Sequence, residues 1–168
     1  GVQTCALPIF FLSSFLFIEV TLAKTVLVTG SNRGMGLEFV SQYAEKGWNV
    51  IATSRSPSDD NDLINLAKVN PNIQIEKMDV TNVNEILSLA DKYESQSIDL
   101  LINNAGMSGD RANQAWGQID KKEFEKLMSI NAFGALKVSE AFSRNISMSE
   151  EKKIVAISSV AGSISSMG

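Results

Sequence analysis

The stretch "TVLVTGSNRGMGLEFV", residues 25–40, decides the fold of this chain. Its first five residues form a β-branched, apolar run that is typical of a buried strand. From Gly36 onward the apolar residues recur at helical spacing, and Gly47 predicts the end of that helix. Gly30, Gly34 and Gly36 lie where the strand gives way to the helix. The stretch therefore predicts a strand, a glycine-rich turn and a helix in direct succession.

The same alternation of strands and helices continues through residue 158. Apolar runs predict four further strands, at residues 49–53, 73–78, 98–103 and 153–158. Helical spacing predicts a helix at 57–69. A second helix begins after Asn82, which would cap it, with Glu85 closing a capping box. A third, long helix is predicted at 120–145, and a capping box also stands at its start. Near-continuous apolar strands that alternate with helices form a parallel sheet covered on both faces. We therefore predict one domain over residues 24–168, a three-layer α/β/α Rossmann fold with a doubly wound parallel sheet.

The composition excludes several kinds of chemistry. The 168 residues contain no histidine and one cysteine, Cys5. A Ser/His/Asp triad, a histidine acid–base pair, a thiolate metal cluster and an internal disulfide cannot be built from them, so no metal site is predicted. The net charge is −4 and no basic stripe is present, which predicts no nucleic-acid partner.

Residues 1–23 differ from the rest and are interpreted as an artefactual or leader segment outside the fold. The first nine resemble the in-frame translation of a sequencing adapter. The apolar run at 9–18 leaves two alternatives to this interpretation. It could be the central part of a secretory signal, which ranks second, or a membrane anchor, which ranks third. No positive charge precedes this run, and it is too short to span a bilayer, so no membrane partner is predicted.

The glycine-rich turn has the chemistry of a pyrophosphate site. Gly30 permits a tight turn off the strand, Gly34 permits close approach of a phosphate, and Gly36 lets the helix pack near the sheet. The helix N-terminus then offers free N–H groups to the anion. The alternative is an ordinary strand–helix turn.

The end of the second strand indicates the cofactor. An NAD enzyme usually carries a carboxylate there for the ribose 2′-hydroxyl, but this chain has Ser54 and Arg55, with Arg33 in the glycine loop. Guanidinium groups favour a 2′-phosphate through charge-assisted hydrogen bonds. This pattern predicts NADP(H) over NAD(H). The alternative is that both arginines merely face solvent.

Five motifs stand in order along the chain: "TGSNRGMG" at 29–36, "DV" at 79–80, "NNAG" at 103–106, Asn131, and "ISS" at 157–159. In this order the motifs resemble the signature of the short-chain dehydrogenase/reductase family over residues 24–168. The segments "GSNRGMGLEFV", "ATSRSP" and "INNAG" are similar to the corresponding segments of the C-factor-like and sniffer-like carbonyl reductases of that family.

The resemblance implies a set of cofactor-binding residues. They are Gly30, Ser31, Asn32, Arg33, Gly34, Met35, Gly36, Arg55, Asp79, Val80, Asn103, Asn104, Ala105 and Gly106. Asp79 would accept a hydrogen bond from the adenine amino group, or it would be an ordinary residue of a loop that leads into a helix.

The resemblance also implies two catalytic residues. Asn131 would hold a water molecule of a proton relay, or it would be a buried Asn bonded to backbone. Ser159 would polarise a substrate carbonyl, and Ser158 would be its structural neighbour, since alternation along a strand sends the two side chains to opposite faces.

The family's proton donor, a Tyr followed four residues later by Lys, is missing. Tyr43 is followed by Gly47 and Tyr93 by Ser97 at that distance. We therefore expect a chain truncated before that motif, with five of about seven strands, inactive and poorly soluble alone.

For the full-length protein the resemblance implies a cytoplasmic, homo-oligomeric enzyme that reduces a small-molecule carbonyl to an alcohol with NADPH. The alternative is a non-catalytic regulatory protein that binds NADP(H).

Overall fold

The computed structural model describes residues 23–110 and 112–159. Five strands are present in them: β1 (Thr25–Thr29), β2 (Asn49–Ser54), β3 (Ile73–Lys77), β4 (Leu100–Asn103) and β5 (Lys153–Ala156). The α-helices of the same residues are α1 (Gly34–Glu45), α2 (Asn61–Val69), α3 (Val83–Lys92), α4 (Lys121–Met128), α5 (Ala135–Ala141) and α6 (Ser143–Ser147). A π-helical segment (Ser129–Gly134) joins α4 to α5, and 3₁₀ turns lie at Pro57–Asp59 and Ala112–Gln114.

The strands form one parallel sheet in the order β3-β2-β1-β4-β5. The chain winds outward from β1 in one direction to β3 and then crosses over to β4 and β5 on the other side. The point where the winding reverses lies between β1 and β4, and in such sheets ligands bind at the carboxyl ends of the strands at this point. The predicted α/β Rossmann fold is confirmed.

Two apolar cores cover the two faces of the sheet. Alternation along β1 sends Leu27 into one core, with Phe142 of the chain segment after α5. Val26 and Val28 point to the opposite face and pack with Val40 of α1. All of these side chains are fully buried. Helices on both faces therefore explain why the strands read as continuous apolar runs rather than as alternating ones.

The long helix predicted at 120–145 is interrupted, and this prediction was wrong. The π-helical segment breaks it after Met128, and α5 ends at Ala141 before the short α6 begins. The interruption has a packing reason, since Gly134 lies so close to the loop after β3 that a Cβ atom there would be 2.9 Å from the Val80 carbonyl oxygen. A π-bulge shifts the helix register and is common at functional sites.

The caps at Asn82 and Asp120 form as predicted, but neither capping box closes. The Asn82 side chain accepts from the N–H groups of Asn84 and Glu85, and Asp120 accepts from Glu123. The two glutamates, which would complete the boxes, bond elsewhere: Glu85 accepts from the Asp79 N–H at 2.8 Å and Glu123 from the Asp110 N–H at 3.1 Å. Both glutamates therefore bond to the loops that precede their helices and not to the N–H groups of the capping residues.

Strand β5 is shorter than predicted and lies at the edge of the described sheet. It ends at Ala156, with one further ladder bond from the Ile157 N–H to the Asn103 carbonyl. Ile154 and Val155 remain 49% and 40% exposed, so this edge strand exposes an apolar side chain on each face of the sheet. No helix among the described residues is long and apolar enough to cross a membrane. The expectations for residues 1–22, and for the chain after Ser159, lie outside the described residues.

Candidate functional site

A cleft of about 710 Å³ opens at the carboxyl edge of the sheet, at the reversal point between β1 and β4. The glycine loop and the first turn of α1 form one side of it, and the segments that follow β2, β3 and β4 form the rest. Twelve of the fourteen predicted cofactor-binding residues line this cleft: Gly30, Asn32, Arg33, Gly34, Met35, Gly36, Arg55, Asp79, Val80, Asn104, Ala105 and Gly106. Ser31 and Asn103 do not.

Two glycines of the loop, Gly30 and Gly36, lie in contacts that leave no room for a side chain. Gly30 has φ of 67°, in the left-handed region, and a Cβ atom there would be 2.8 Å from the Ala105 Cα atom. A Cβ atom on Gly36 would be 2.2 Å from the Gly30 carbonyl oxygen. The first turn of α1 is therefore seated directly on the loop, and its free N–H groups face the cleft.

Ser31 has a structural place in this loop. Its side chain is fully buried, its hydroxyl donates to the Val28 carbonyl at 2.8 Å, and its N–H donates to the Thr53 carbonyl at 2.9 Å. These bonds fix the turn off β1 against β2 and orient the residues that follow it.

The "NNAG" segment is bonded to the end of β1. The Thr29 hydroxyl accepts from the N–H groups of Asn104 and Ala105, each at 3.0 Å. The Asn104 side chain donates to the carbonyl oxygens of Thr29 and Gly30 at 2.9 and 3.0 Å. The glycine loop and this segment are therefore one hydrogen-bonded unit.

Asn103 points away from the cleft. Its side-chain amide donates to the Ser139 hydroxyl of α5 at 2.9 Å. Its Oδ1 atom is buried and has no hydrogen-bond partner among the described residues. The contact links the end of β4 to α5 and so supports the sheet beneath the site.

Two guanidinium groups line the cleft beside the end of β2. Arg33 is the extended residue directly before α1, without a side-chain bond to the helix, and Arg55 directly follows β2. Both side chains are exposed, and within the described part of the chain neither has a hydrogen-bond or ion-pair partner. Two unpaired positive charges at one wall make this end of the cleft suited to an anion.

Asp79 and Val80 form the wall contributed by the loop after β3. The Asp79 carboxylate accepts from the N–H and hydroxyl of Thr81 at 2.8 and 2.7 Å, and its own N–H donates to Glu85. That bond, with a further bond from Lys77, holds the pKa of the Glu85 carboxyl below its usual range. These bonds of Asp79 are the ones expected if it is an ordinary residue of a loop that leads into a helix. They leave its second carboxylate oxygen without a partner among the described residues.

Asn131 lies in the π-helical segment and bonds to the loop after β4. Its Oδ1 accepts from the Met107 N–H at 2.9 Å, and its Nδ2 donates to the Met107 carbonyl at 2.8 Å. Asn131 is exposed, so the alternative of a buried Asn is wrong in its burial, although the bonding to backbone that it implied is found. This two-point contact fixes the segment that continues the "NNAG" wall. The relay role stays a prediction.

Ser158 and Ser159 follow β5 and are exposed. Because β5 ends at Ala156, the alternation of side chains along a strand does not extend to these two residues. Strand geometry therefore does not place their side chains on opposite faces of the sheet. Neither serine lines the cleft described above. The role of Ser159 stays a prediction.

Several residues of the cleft were not singled out from sequence as binding residues: Ser54, Ser56, Asp60, Met78, Met107, Lys126 and Ile130. Ser54 and Ser56 flank Arg55, so proximity in sequence could have indicated them. Lys126 and Ile130 come from α4 and the π-helical segment, which meet the cleft only through tertiary packing.

The comparisons with known proteins agree with this geometry. The sequence model of the short chain dehydrogenase family matches residues 24–168. The chain is similar to the short chain dehydrogenase gsfK of Penicillium aethiopicum, at 34% identity over 151 residues, covering 85% of this chain and 59% of that protein.

Two solved carbonyl reductases share the fold. One, from Pseudomonas aeruginosa PAO1, has a TM-score of 0.78 and 26% identity, covering 84% of this chain and 62% of that one. The other, the NADPH-bound enzyme from chicken fatty liver, has a TM-score of 0.74 and 30% identity, covering 85% of this chain and 60% of that one.

A doubly wound parallel sheet with a glycine loop at its reversal point defines a nucleotide-binding Rossmann protein. Within that class, this chain belongs to the short-chain dehydrogenase/reductase family, whose members named above are oxidoreductases. The chain spans 53–59% of the length of the first curated relatives that it matches.

Proposed function

We propose that this chain is the cofactor-binding part of an NADPH-dependent reductase that converts a small-molecule carbonyl to an alcohol. The observation that carries the proposal is the pair of unpaired guanidinium groups, Arg33 and Arg55, beside a β2 terminus that has a serine where NAD enzymes carry a carboxylate. The two carbonyl reductases of similar fold support the assignment to the C-factor-like and sniffer-like subgroup.

The residues of the cleft fit NADP(H). Cβ atoms added at Gly30 and Gly36 would collide with backbone, and the first turn of α1 offers N–H groups for a pyrophosphate. Arg33 and Arg55 would hold the 2′-phosphate, and Asp79 with Val80 would lie at the adenine. When bound, the cofactor supplies a hydride. The chain's own contribution is to bind and orient it at the carboxyl edge of the sheet.

Neither Tyr43 nor Tyr93 lines the described cleft, where the family's tyrosine would donate the proton that a carbonyl reduction needs. Tyr43 packs edge-on against Trp48, and the Tyr93 hydroxyl is bonded to Gln74 and Glu76 of β3. Burial and the Glu76 carboxylate raise the pKa of Tyr93 above its ordinary value, which makes it a poorer acid. We therefore place the donor on a Tyr-x-x-x-Lys motif downstream of this chain, with Ser159 polarising the substrate carbonyl and Asn131 holding the relay water.

The complete protein is proposed to be a cytoplasmic homo-oligomer. Phe124, Met128 and Leu136 are 55%, 48% and 69% exposed on α4 and α5, and an apolar surface of this kind favours association with another copy. The second candidate is a regulatory protein that binds NADP(H) without catalysis, which the cleft and its two guanidinium groups would serve equally well.

The first experiment measures cofactor preference. Dissociation constants of NADPH and NADH are compared by fluorescence titration for the complete protein and for its Arg55→Asp variant. We expect tighter binding of NADPH in the natural protein and a fall of about tenfold or more in this preference in the variant, because a charge-assisted bond becomes a repulsion.

Arg144→Asp is the matched control, since Arg144 is an exposed arginine of α6 outside the cleft. Equal binding of NADH and NADPH, or an unchanged preference in Arg55→Asp, would contradict the proposal. Oxidation of NADPH by added aldehydes or ketones then separates the enzyme from the regulatory protein, which binds the cofactor without turnover.

A further inference from the structure

The loop between β2 and α2, residues 54–60, forms the wall of the cleft that carries Arg55, and a side-chain bond closes it at its two ends. Ser54, the last residue of β2, is 5% exposed, and its hydroxyl donates to the Asp60 carboxylate. The same hydroxyl accepts from the Ser56 N–H at 3.3 Å. The Ser54 carbonyl accepts from the Met78 N–H at 2.9 Å, which ties the strand end to the segment after β3. Both neighbours of Arg55 are therefore fixed through Ser54.

Asp60 occupies a position where aspartate normally has a different partner. It is the residue before α2, and an aspartate at a helix start usually accepts from the N–H groups of the first turn. The Asp60 side chain makes no such bond. It reaches back across the loop to Ser54 instead, so the capping interaction is given up in favour of closing the loop.

The carboxylate also lies in an unfavourable place for a site that binds a phosphate. Asp60 lines the same cleft as Arg33 and Arg55, and a negative charge there opposes an anionic ligand. Asp60 neither caps its helix by a side-chain bond nor favours an anionic ligand by its charge. Its side-chain bond is the one to Ser54.

We propose that Asp60 is a positioning residue for Arg55 in cofactor discrimination. The Ser54–Asp60 bond, here called the loop clasp, fixes the backbone on both sides of Arg55, so that the guanidinium enters the cleft at the end of β2. The bond from Ser54 also engages one oxygen of the carboxylate that would otherwise face the ligand. This inference rests on the proposed preference for NADP(H).

The expected effect follows from conformational entropy. The Arg55 side chain is exposed and has many rotamers, so binding through it requires that it be ordered. A loop that is already fixed lowers the part of this cost that comes from the backbone. Loss of the clasp should therefore weaken the binding of ligands that contact Arg55 and leave the affinity of other ligands of the cleft almost unchanged.

The test uses three variants of the complete protein: Asp60→Ala, Asp60→Asn and the control Asp59→Ala. Asp59 is the adjacent exposed carboxylate, bonded only to Ser58 among the described residues and outside the cleft. Dissociation constants are measured for NADPH, NADH and adenosine 2′,5′-bisphosphate, which carries the 2′-phosphate without the nicotinamide. Thermal unfolding by circular dichroism establishes that each variant is folded.

We expect Asp60→Ala to weaken binding of NADPH and of the bisphosphate about five- to tenfold, the size of one lost hydrogen bond, and that of NADH less than twofold. Asp60→Asn should bind NADPH as well as the natural protein or better, because the amide oxygen still accepts from Ser54 and the negative charge is gone. Asp59→Ala should behave as the natural protein.

Four outcomes would overturn the inference. Unchanged or tighter NADPH binding in Asp60→Ala would show that the carboxylate only repels the ligand. Equal losses for NADPH and NADH would show general damage to the loop, and an equal loss in Asp60→Asn would rule out the accepted hydrogen bond as the cause. A natural protein without preference for NADPH would overturn the proposed function and the clasp together, whereas the first three outcomes overturn the clasp alone.

Discussion

Replacing Gly36 with alanine is the sharpest test of how the cleft is built. Gly36 lies in the first turn of α1, and an added Cβ atom would be 2.2 Å from the Gly30 carbonyl oxygen and 2.5 Å from the Asn104 side-chain nitrogen. Those two atoms are themselves hydrogen-bonded at 3.0 Å. The methyl group would therefore enter the bond that joins the glycine loop to the "NNAG" segment.

The size of the effect can be worked from these contacts. Non-bonded carbon contacts are comfortable at roughly 3.5 Å, so α1 or the loop must move by about 1 Å. Overpacking of this kind costs about 1–3 kcal/mol, and loss of the Asn104 bond adds about 1 kcal/mol. We expect a loss of about 3 kcal/mol in the free energy of unfolding, or a fall in Tm of roughly 6–12 °C for a protein of this size or larger.

The assay is urea unfolding followed by circular dichroism, with Gly34→Ala as the matched control. Gly34 has φ of 57°, but a Cβ atom there meets nothing within 4 Å. Its substitution should cost only the backbone penalty of about 1–2 kcal/mol. If Gly36→Ala is as stable as the natural protein, or less damaging than Gly34→Ala, the reasoning from close packing is wrong.

Two further predictions concern the loop after β4 and the response to acid. Asn131→Ala should remove both bonds to Met107 and speed hydrogen exchange of the Met107 amide by about tenfold, and Asn131→Asp, which can still accept from the Met107 N–H, should show a smaller change. The bonds from Lys153 and Lys24 lower the pKa of Glu151 to about 2 from its ordinary 4.5, so their contribution to stability is complete above about pH 4.5 and is lost as the pH falls towards 2. Melting curves across this window should show a small loss of stability that Glu151→Gln abolishes. Added salt should weaken the effect, because the Glu151 side chain is partly exposed. An equal acid response in Glu151→Gln would contradict the assignment.

The parts of the fold that could be predicted from sequence are those in which one local pattern has one physical outcome. The run Thr25–Thr29 has no polar face, so it is a strand buried on both sides, and the structure places it at the centre of the sheet. The glycine loop could be located because left-handed backbone at Gly30 and close packing at Gly36 both require glycine. These requirements act within a few residues, so they can be recognised from the sequence of one protein.

The parts that could not be predicted depend on contacts that form only once neighbouring elements are packed together. The residues from Asp120 onward have the apolar spacing of one helix, but the break within them is set by the contact of Gly134 with Val80. Glu85 has the spacing of a capping box, yet its carboxylate accepts from the Asp79 N–H of the loop after β3. The Ser54–Asp60 bond likewise exists only because the loop folds back on itself. In each case the local pattern permits one arrangement, and tertiary packing selects another.

The separate motifs of the cleft are one physical unit. Thr29 ends β1 and also holds the N–H groups of Asn104 and Ala105, while Ala105 fills the space that a side chain on Gly30 would need. Asn131 extends the same unit, because its oxygen lies 3.3 Å from the position of a Cβ atom on Gly106 and bonds to Met107. A change in one motif is therefore transmitted to the next by direct contact. Paired substitutions such as Gly36→Ala with Asn104→Ala should then be clearly non-additive in stability, since both act on the bond between Asn104 and the Gly30 carbonyl.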